Sequence, residues 1–391
     1  MSKTTSIDEV LAGKRTWAVA CCDVLEGLRA MPNNSVQCCV TSPPYYNLRD
    51  YQIAGQIGLE PTLDEFLEKL VEVCEEVRRV LRDDGVFFCN MGDSYAGGAG
   101  GRGDIGNIIA GTQTRTKAVQ AKRTPIPLGN AKPKDKLLVP WRLVLALQAA
   151  GWYVRDVIVW HKPAPMPESV TDRCTQSWEP IFLLAKSSRY FYDADAVKEE
   201  GTNRACGNTG AGKYEGEPGH RLKHRKHLIE AAEFRNLRNV WTMPFEPFGG
   251  SHFATFPTEL PRRCIKAGTS EHGCCPQCGA PWKRIVEREQ IKRERPNEYV
   301  KRDGAEGTGN SCANTVAGVS VTTKGWEPTC KCNAGDAIPC VVMDIFNGSG
   351  TSGLVARRLG RRYVGFELNP DYAAMARERI TSDAPLFNEA V

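Results

Sequence analysis

The sequence has no run of about 18 apolar residues, which is the length that a membrane-spanning helix needs, so we expect no membrane span. Its first fifteen residues lack the apolar core of a secretion signal. The excess of positive over negative charge is also small, because 51 Lys and Arg residues are balanced by 46 Asp and Glu residues and the net charge is +5. This balance permits a nucleic-acid partner but does not require one. The absence of a membrane span and of a secretion signal predicts a protein of the cytoplasm.

Cysteine, in contrast, is abundant, with 16 residues in a chain of 391. In a reducing compartment such cysteines are core thiols or metal ligands rather than disulfides. Six of them lie in apolar, strand-like segments and are expected to pack as small core residues, not to act as nucleophiles. These six are Cys21, Cys22, Cys38, Cys39, Cys89 and Cys340.

Two further cysteine pairs have the spacing of metal ligands. Cys275 and Cys278 form a C-x-x-C pair, and Cys330 and Cys332 form a C-x-C pair after 51 intervening residues. Four thiolates can close a tetrahedral zinc site, and four protein ligands leave no open position for catalysis. We therefore predict a structural zinc ion, with unligated thiols as the alternative. Cys274 and His272 are reserve ligands.

Strand-like and helix-like segments alternate along residues 17–93, which predicts a parallel sheet with helices on its faces. The segment 62–85 has apolar residues at helical spacing, and Gly85 is expected to end that helix. Residues 137–163 are predicted to form a helix that ends near Gly151, followed by a strand. Two more strands are expected in 176–187 and 189–193. The last 50 residues return to alternating strands and helices.

A glycine-rich turn near the end of the chain indicates a nucleoside cofactor. Gly348, Gly350 and Gly353 form G-x-G-x-x-G between an apolar strand and a helix, which is the context that this motif requires. Glu367 follows at the end of the next strand, where a carboxylate can accept both ribose hydroxyls. A dinucleotide and S-adenosylmethionine both fit such a turn, so an oxidoreductase is one alternative at this point.

A second motif, Ser42-Pro43-Pro44-Tyr45, follows the strand-like segment 35–40. Prolines have a fixed φ and no N–H, so this corner presents carbonyl oxygens without competing donors. Ser42 adds a hydroxyl oxygen, and Tyr45 adds a flat ring on which a base can stack. Acceptors placed around the N–H bonds of an exocyclic amino group would free its delocalised lone pair for reaction.

Both motifs resemble those of the β class of DNA amino-methyltransferases. "TSPPY" is similar to the catalytic (D/N/S)-P-P-(Y/F/W) motif, and "DIFNGSGTSG" to the S-adenosylmethionine motif D-P-F-x-G-S-G-T, with Ile345 in place of the usual proline. The resemblance implies a Rossmann-like α/β methyltransferase sheet, mostly parallel, with a circularly permuted motif order and with target-recognition and zinc-binding insertions. It also assigns the cofactor residues, which are Asp23, Phe256, Asp344, Phe346, Asn347, Gly348, Ser349, Gly350, Thr351 and Glu367.

The mechanism that the resemblance implies is methyl transfer from S-adenosylmethionine to a base flipped out of duplex DNA. Tyr45 stacks on that base, while Ser42 Oγ and the Pro43 carbonyl, held beside Pro44, accept the amino hydrogens. Adenine N6 is the expected target, because solitary bacterial enzymes of this kind mostly methylate adenine. Cytosine N4 is the alternative, because serine in the first motif position is commoner in cytosine enzymes. A zinc-containing DNA-binding protein without catalysis is the second alternative.

Two basic segments are expected to contact the DNA. Residues 94–135 contain seven cations and two acids, which predicts a mobile basic loop. Residues 196–250 are predicted to read the target, and phosphate contacts are assigned there to Arg221, Lys223, His224, Arg225 and Lys226. Solvated surface is the alternative for both segments.

These segments define the predicted domain organisation. Residues 1–195 form the catalytic half, 196–250 the recognition region, 251–272 and 336–391 the cofactor half, and 273–335 the zinc insertion. The family resemblance adds the expectations of a homodimer and of a bacterial or phage protein associated with the nucleoid.

Overall fold

A computed structural model describes residues 3–96, 131–200, 234–246, 256–292 and 316–383 of the chain. The chain divides into two compact units. The first contains residues 1–193, 238–283 and 328–391, and the second contains residues 194–237 and 284–327. Within the described residues, no helix is long and apolar enough to cross a membrane.

The described residues form seven α-helices and twelve strands. The helices are α1 (Lys3–Leu11), α2 (Val24–Ala30), α3 (Leu63–Val80), α4 (Val139–Ala149), α5 (Glu259–Gly268), α6 (Thr351–Arg358) and α7 (Pro370–Ser382). The strands are β1 (Trp17–Cys21), β2 (Val36–Thr41), β3 (Leu81–Asn90), β4 (Tyr153–His161), β5 (Trp178–Ala185), β6 (Glu199–Glu200), β7 (Phe234–Arg235), β8 (Val240–Thr242), β9 (Trp282–Lys292), β10 (Val316–Pro328), β11 (Val341–Asp344) and β12 (Arg362–Glu367).

The first unit is built on an eight-stranded sheet with the order β1-β12-β11-β2-β3-β5-β4-β8. Strand β5 is antiparallel to both of its neighbours, and the other pairings in this sheet are parallel. The predicted mostly parallel α/β sheet is therefore confirmed. From the parallel pair β11 and β2, the next strand along the chain lies on opposite sides, because β12 follows β11 on one side and β3 follows β2 on the other. Open α/β sheets bind their ligands in the crevice at such a switch point.

The central strands are apolar because helices cover both faces of the sheet. Every residue of β2 and β11 is buried. Thr62 caps the N-terminus of α3, because its side chain accepts a hydrogen bond from the Glu65 amide. The helix buries a stripe at helical spacing that includes Phe66, Leu70 and Val77. This packing fixes the strands whose carboxyl ends form the site.

Two predicted details of this unit are wrong. Gly85 does not end α3, because the helix ends at Val80 and Gly85 lies inside β3. A Cβ there would approach the Gln37 carbonyl oxygen at 3.1 Å, so glycine allows close backbone approach between β2 and β3. The predicted strand 189–193 is irregular, although the amides of Phe191 and Asp193 bond to the carbonyl groups of Asp84 and Ala267.

The second unit contains two small sheets among its described residues. Strands β6 and β7 pair antiparallel, and β9 pairs with β10. Arg284 lies over the Trp326 ring at 4.4 Å from its centroid, and Lys324 forms an ion pair with Glu287. These contacts run in opposite order along the two strands, so β9 and β10 form an antiparallel ribbon.

Candidate active site

The carboxyl ends of four adjacent strands bring the predicted catalytic and cofactor residues to one edge of the sheet. Asp23 follows β1, Glu367 ends β12, Asp344 ends β11, and Ser42 follows β2. These four strands are neighbours and run parallel. The two sequence motifs, separated by about 300 residues of chain, therefore lie side by side.

The glycine turn between β11 and α6 has the backbone that its sequence predicts. Gly348 has φ +50° and Gly350 has φ +77°, in the left-handed region that favours glycine. Gly350 is the N-cap of α6, and a Cβ on Gly353 would lie 2.6 Å from both Ile380 Cδ1 and Tyr363 Cε1. The turn is thus tight, and its amides lie at a helix N-terminus beside the sheet edge.

Glu367 closes the turn from the neighbouring strand. One carboxylate oxygen accepts a hydrogen bond from the Gly348 amide at 2.7 Å, and the other accepts one from the Asn369 amide at 2.9 Å. Burial raises the pKa of Glu367 above its usual range. A carboxylate can accept about four hydrogen bonds, so this group retains lone pairs for the hydroxyls of a ribose.

Asp344 joins the two motifs directly. Thr41 Oγ1, one residue before Ser42, donates to one Asp344 oxygen at 2.6 Å, and Ser352 Oγ of α6 donates to the other at 2.7 Å. The Phe346 amide lies 3.1 Å from the first oxygen. Burial raises the pKa of Asp344 to about 6 although these donors favour the charged form. The carboxylate therefore links the end of β2, next to the proline corner, to the glycine turn and α6.

Three of the predicted cofactor residues use their side chains inside the protein. Tyr363 Oη donates to Asn347 Oδ1 at 2.6 Å, and Arg379 bonds to the hydroxyl oxygens of Ser349 and Thr351 at 3.0 and 2.9 Å. All three of Asn347, Ser349 and Thr351 are at most 5% exposed. These side chains hold the turn from inside the protein, so a ligand bound at the turn would contact the backbone of the turn.

Two other predicted cofactor residues lie at element boundaries. Asp23 is the N-cap of α2, where Oδ1 accepts from the amides of Leu25 and Glu26. Phe256 lies just before α5 and is partly buried, as is Phe346 in the glycine turn.

The Ser42-Pro43-Pro44-Tyr45 corner is held from behind. Ser94 Oγ donates to the Tyr46 carbonyl oxygen at 3.0 Å, and Tyr46 itself is 1% exposed. The Asn47 amide donates to the Gly58 carbonyl oxygen at 2.7 Å. A buried aromatic anchor and two hydrogen bonds thus fix the loop that follows the prolines.

The Tyr45 side chain is fixed by polar partners that the sequence does not reveal. Its hydroxyl donates to Glu179 Oε2 at 2.9 Å, and Ser42 Oγ lies 3.4 Å from the same hydroxyl. Lys162 forms an ion pair with Glu179. Burial and the neighbouring Glu179 raise the pKa of Tyr45 well above its ordinary value, so the phenol keeps its proton. Gly92 packs directly against the ring, where no Cβ would fit.

Comparison with known proteins agrees with this geometry. The sequence profile of a family described as DNA methylase matches residues 36–275 and 339–378. The chain belongs to this family of N6/N4 DNA amino-methyltransferases. It is 37% identical over 361 residues to the Type II methyltransferase M.Cfr9I of Citrobacter freundii, covering 92% of this chain and 86% of that protein. It is 33% identical over 359 residues to M.SmaI of Serratia marcescens, covering 92% and 88%.

A solved structure shares the fold of this DNA methyltransferase. The PvuII DNA methyltransferase, which is described as cytosine-N4-specific, aligns with a TM-score of 0.51 and 16% identity. The alignment covers 95% of this chain and 92% of that one. The Rossmann-like α/β fold of the chain is thus one that a solved DNA methyltransferase structure also has.

S-adenosylmethionine is the methyl donor of this family, and the residues at the sheet edge fit it. The left-handed glycines give the tight turn at the N-terminus of α6 that such a ligand needs, and the retained lone pairs of Glu367 suit a ribose. The DNA-contacting run assigned from the sequence, Arg221, Lys223, His224, Arg225 and Lys226, lies outside the described residues, as do residues 97–130 of the basic loop.

The four cysteines with ligand spacing meet in the first unit. The Sγ atoms of Cys275, Cys278, Cys330 and Cys332 all lie within 4.8 Å of one another. The reserve ligands point elsewhere, because Cys274 Sγ lies 3.8 Å from the Pro339 carbonyl oxygen and the His272 ring packs on Trp282 at 4.7 Å. Five of the six cysteines predicted for the core are buried, and Cys21 is partly exposed.

Proposed function

We propose that this DNA methyltransferase methylates the exocyclic amino group of one base that is flipped out of duplex DNA. The observation that carries the proposal is the 2.6 Å hydrogen bond between Thr41 Oγ1 and Asp344, which ties the proline corner to the cofactor turn. A base whose amino group meets Ser42 would then lie beside a donor bound near Glu367.

The corner supplies acceptors in the geometry that an aromatic amine requires. The lone pair of such an amine is delocalised into the base, so the amine is a weak nucleophile. Ser42 Oγ and the Pro43 carbonyl oxygen would accept its two hydrogens and draw the nitrogen towards tetrahedral geometry. When bound, S-adenosylmethionine supplies a methyl group on a positively charged sulfur. Tyr45 would stack on the base and hold the amine in line with that methyl group.

Cytosine N4 is the target that Ser42 favours. A neutral serine in the first motif position is commoner among the cytosine-N4 enzymes that the sequence resembles, whereas aspartate is commoner among adenine-N6 enzymes. Two arguments point to different bases. The identity of Ser42 favours cytosine N4, and the commonness of adenine-specific enzymes among solitary bacterial ones favours adenine N6. We give more weight to Ser42, because in the proposed mechanism it contacts the reacting amine. Adenine N6 becomes the competing target.

Mass spectrometry of nucleosides tests both the reaction and the base. The purified enzyme is incubated with duplex DNA and S-adenosylmethionine that carries an isotopically labelled methyl group, and the DNA is digested to nucleosides. We expect labelled N4-methylcytosine. Labelled N6-methyladenine would overturn the choice of base, and no labelled nucleoside with DNA of varied sequence would overturn the reaction. Calorimetry with S-adenosylmethionine and with NAD distinguishes a methyltransferase from the oxidoreductase alternative, because we expect binding of S-adenosylmethionine and not of NAD.

We also propose that the basic run of the recognition region binds DNA phosphates. Replacing Arg225 and Lys226 by glutamine should lower DNA affinity and reduce the slope of affinity against salt by about one for each phosphate that is no longer neutralised. An unchanged slope would contradict the assignment.

The predicted homodimer is tested by sedimentation velocity. We also propose that the protein associates with the nucleoid of a bacterium, because its proposed substrate is DNA in a bacterial or phage setting.

We infer that Cys275, Cys278, Cys330 and Cys332 hold a structural zinc ion. A Zn–S bond of about 2.3 Å places tetrahedral sulfurs about 3.8 Å apart, and the four Sγ atoms here lie within 4.8 Å of one another. The first pair forms a tight knuckle, in which the Gly279 amide donates to the Cys275 carbonyl oxygen at 2.8 Å and Gly279 has φ +70°.

The position of the cysteine cluster supports a structural role for this metal. Gln37 Nε2 donates to the Gly279 carbonyl oxygen at 3.0 Å, and Gln37 Oε1 accepts from the Val341 amide. Gln37 lies near the start of β2, while Ser42 follows its end. The knuckle therefore docks at the edge of the sheet opposite the active site, and its two cysteine pairs flank the ribbon of β9 and β10 in the chain.

Metal analysis tests the zinc site. The enzyme, purified without chelators, should contain about one zinc ion per chain, and Co²⁺ in its place should give the visible absorption of tetrahedral thiolate coordination. Cys278→Ser should lose the metal, whereas Cys174→Ser, at an exposed cysteine away from the cluster, should keep it. A wild-type protein without bound metal and without a Co²⁺ spectrum would refute the site.

A further inference from the structure

The hydroxyl group of Tyr45 has partners that base stacking does not explain. A stacked base contacts the face of the ring, and phenylalanine offers the same face. Here the hydroxyl is instead buried against Glu179, at a distance of 2.9 Å, and it also lies 3.4 Å from Asn90 Oδ1. Since the phenol keeps its proton, it donates that proton to one of these oxygens, and the shorter contact is the one to the carboxylate.

The direction of this hydrogen bond sets the direction of the next one. Because Tyr45 donates to Glu179, its oxygen is left as an acceptor, and Ser42 Oγ lies 3.4 Å away as the donor. When the Ser42 hydrogen points at Tyr45, the lone pairs of Ser42 Oγ point away from it. Those lone pairs are what the hydrogens of an amino group need.

Lys162 and Asn90 are the further polar partners of Glu179. Its second oxygen forms the ion pair with Lys162, and Asn90 Nδ2 lies 3.4 Å from the oxygen that receives Tyr45. The Lys162 ammonium is itself supported by the Trp160 ring, whose centroid lies 4.5 Å away. The side chain of Glu179 is 18% exposed and that of Lys162 is 12% exposed, so water screens the pair weakly.

We infer that Glu179 is a positioning residue that acts on the reacting amine through Tyr45 and Ser42. The inference rests on the proposed function. The carboxylate accepts from Tyr45, Tyr45 accepts from Ser42, and Ser42 accepts from the amine; we call this chain of hydrogen bonds the relay. Hydrogen bonds in a chain polarise one another, so the charge of Glu179 makes Ser42 a stronger acceptor than an isolated serine. No proton is transferred along the chain.

The relay gives a physical account of serine in the first motif position. An aspartate there would bring its negative charge directly to the amine. With serine, the negative charge stands two hydrogen bonds farther away, on Glu179 of strand β5. The charge of Glu179 therefore matters for the rate of methyl transfer, whereas stacking requires the ring of Tyr45 alone.

A double-mutant cycle tests the relay. Glu179→Gln keeps the size of the side chain and an oxygen that can accept from Tyr45, but it removes the charge. Tyr45→Phe keeps the ring and removes the hydroxyl. We expect each change to lower kcat about tenfold, which is less than the hundredfold or more that follows when a group bonded directly to the reacting atoms is removed. In the Tyr45→Phe background, Glu179→Gln should cost less than about twofold, because the chain is already broken.

Three further readouts separate the relay from a general structural role. The KM for DNA and the affinity for S-adenosylmethionine should stay within about twofold of wild type in both single variants. The fluorescence of 2-aminopurine beside the target should still report base flipping. Glu72→Gln, which removes a carboxylate from the surface ion pair with Arg29, is the matched control and should leave kcat unchanged.

Each outcome of these measurements is decisive. Loss of kcat in Glu179→Gln with the expected non-additivity supports the relay. An unchanged kcat in Glu179→Gln, or additive losses in the double variant, would overturn it while the wild-type enzyme still methylates DNA. Absence of methyl transfer by the wild-type enzyme would instead refute the proposed function itself.

Discussion

Replacing Gly92 by alanine should move the ring on which the base is expected to stack. An alanine Cβ at this position would lie 2.6 Å from Tyr45 Cδ2 and 2.8 Å from Cζ, and nearer still to Cε2. Carbon atoms in contact lie about 3.5–4.0 Å apart, so the ring must retreat by about 1 Å. Its hydroxyl is anchored on Glu179, so the ring must tilt or break that bond. A misplacement of about 1 Å can lower kcat about a hundredfold.

The assay is the initial rate of methyl transfer to duplex DNA at saturating S-adenosylmethionine. Affinity for the cofactor should be unchanged, because Gly92 follows β3 whereas the cofactor turn follows β11. Gly325→Ala is the matched control, since a Cβ there would meet a single atom, Ile285 Cδ1, at 4.0 Å. A Gly92→Ala enzyme with the wild-type kcat would show that the ring position does not limit the reaction.

Three further predictions concern the cofactor half. Glu367→Gln should weaken S-adenosylmethionine binding about tenfold or more in calorimetry, since hydrogen bonds to a charged group contribute about 1.5–3 kcal/mol; unchanged affinity would remove Glu367 from the ribose site. The pKa of Asp344 is raised from 3.8 to about 6, so the folded state binds more protons between those pH values and stability falls as pH rises through them. Between pH 4 and pH 7, the free energy of unfolding of Asp344→Asn, measured with urea, should therefore rise by about 3 kcal/mol relative to that of wild type. A difference between the two proteins that stays constant over this pH range would contradict this. Gly353→Ala should lower the free energy of unfolding by about 1–3 kcal/mol through overpacking on Tyr363, and an unchanged urea midpoint would show that the turn has room.

Much of the fold follows from local sequence patterns. The strands β2 and β11 are buried throughout and mostly apolar, and α3 has a clear 3.6-residue period, so each is predictable by itself. The end of α3 is not, because the strand-forming residues that follow it pair with β2 through contacts distant in sequence. Gly85 punctuates no helix here; it allows two strands to approach.

The parts of the candidate site that consist of consecutive residues could be predicted from the sequence. The proline corner and the glycine turn are short motifs, and parallel strands then bring them together. The Glu179 carboxylate and the Lys162 ammonium carry no such local signal, since Glu179 is an ordinary charged residue in β5 and Lys162 is one that follows β4. Antiparallel insertion of β5 beside β3 brings Glu179 to Tyr45, and a single sequence does not encode that pairing visibly.

The reaction rate of a Ser42→Ala enzyme tests the central claim most directly. The measurement is incorporation of labelled methyl groups into duplex DNA, with S-adenosylmethionine binding followed in parallel by calorimetry. Loss of the acceptor next to the amine should lower kcat by about a hundredfold or more, while the cofactor dissociation constant stays within about twofold. A variant that methylates DNA at the wild-type rate would contradict the claim that the proline corner activates the amino group.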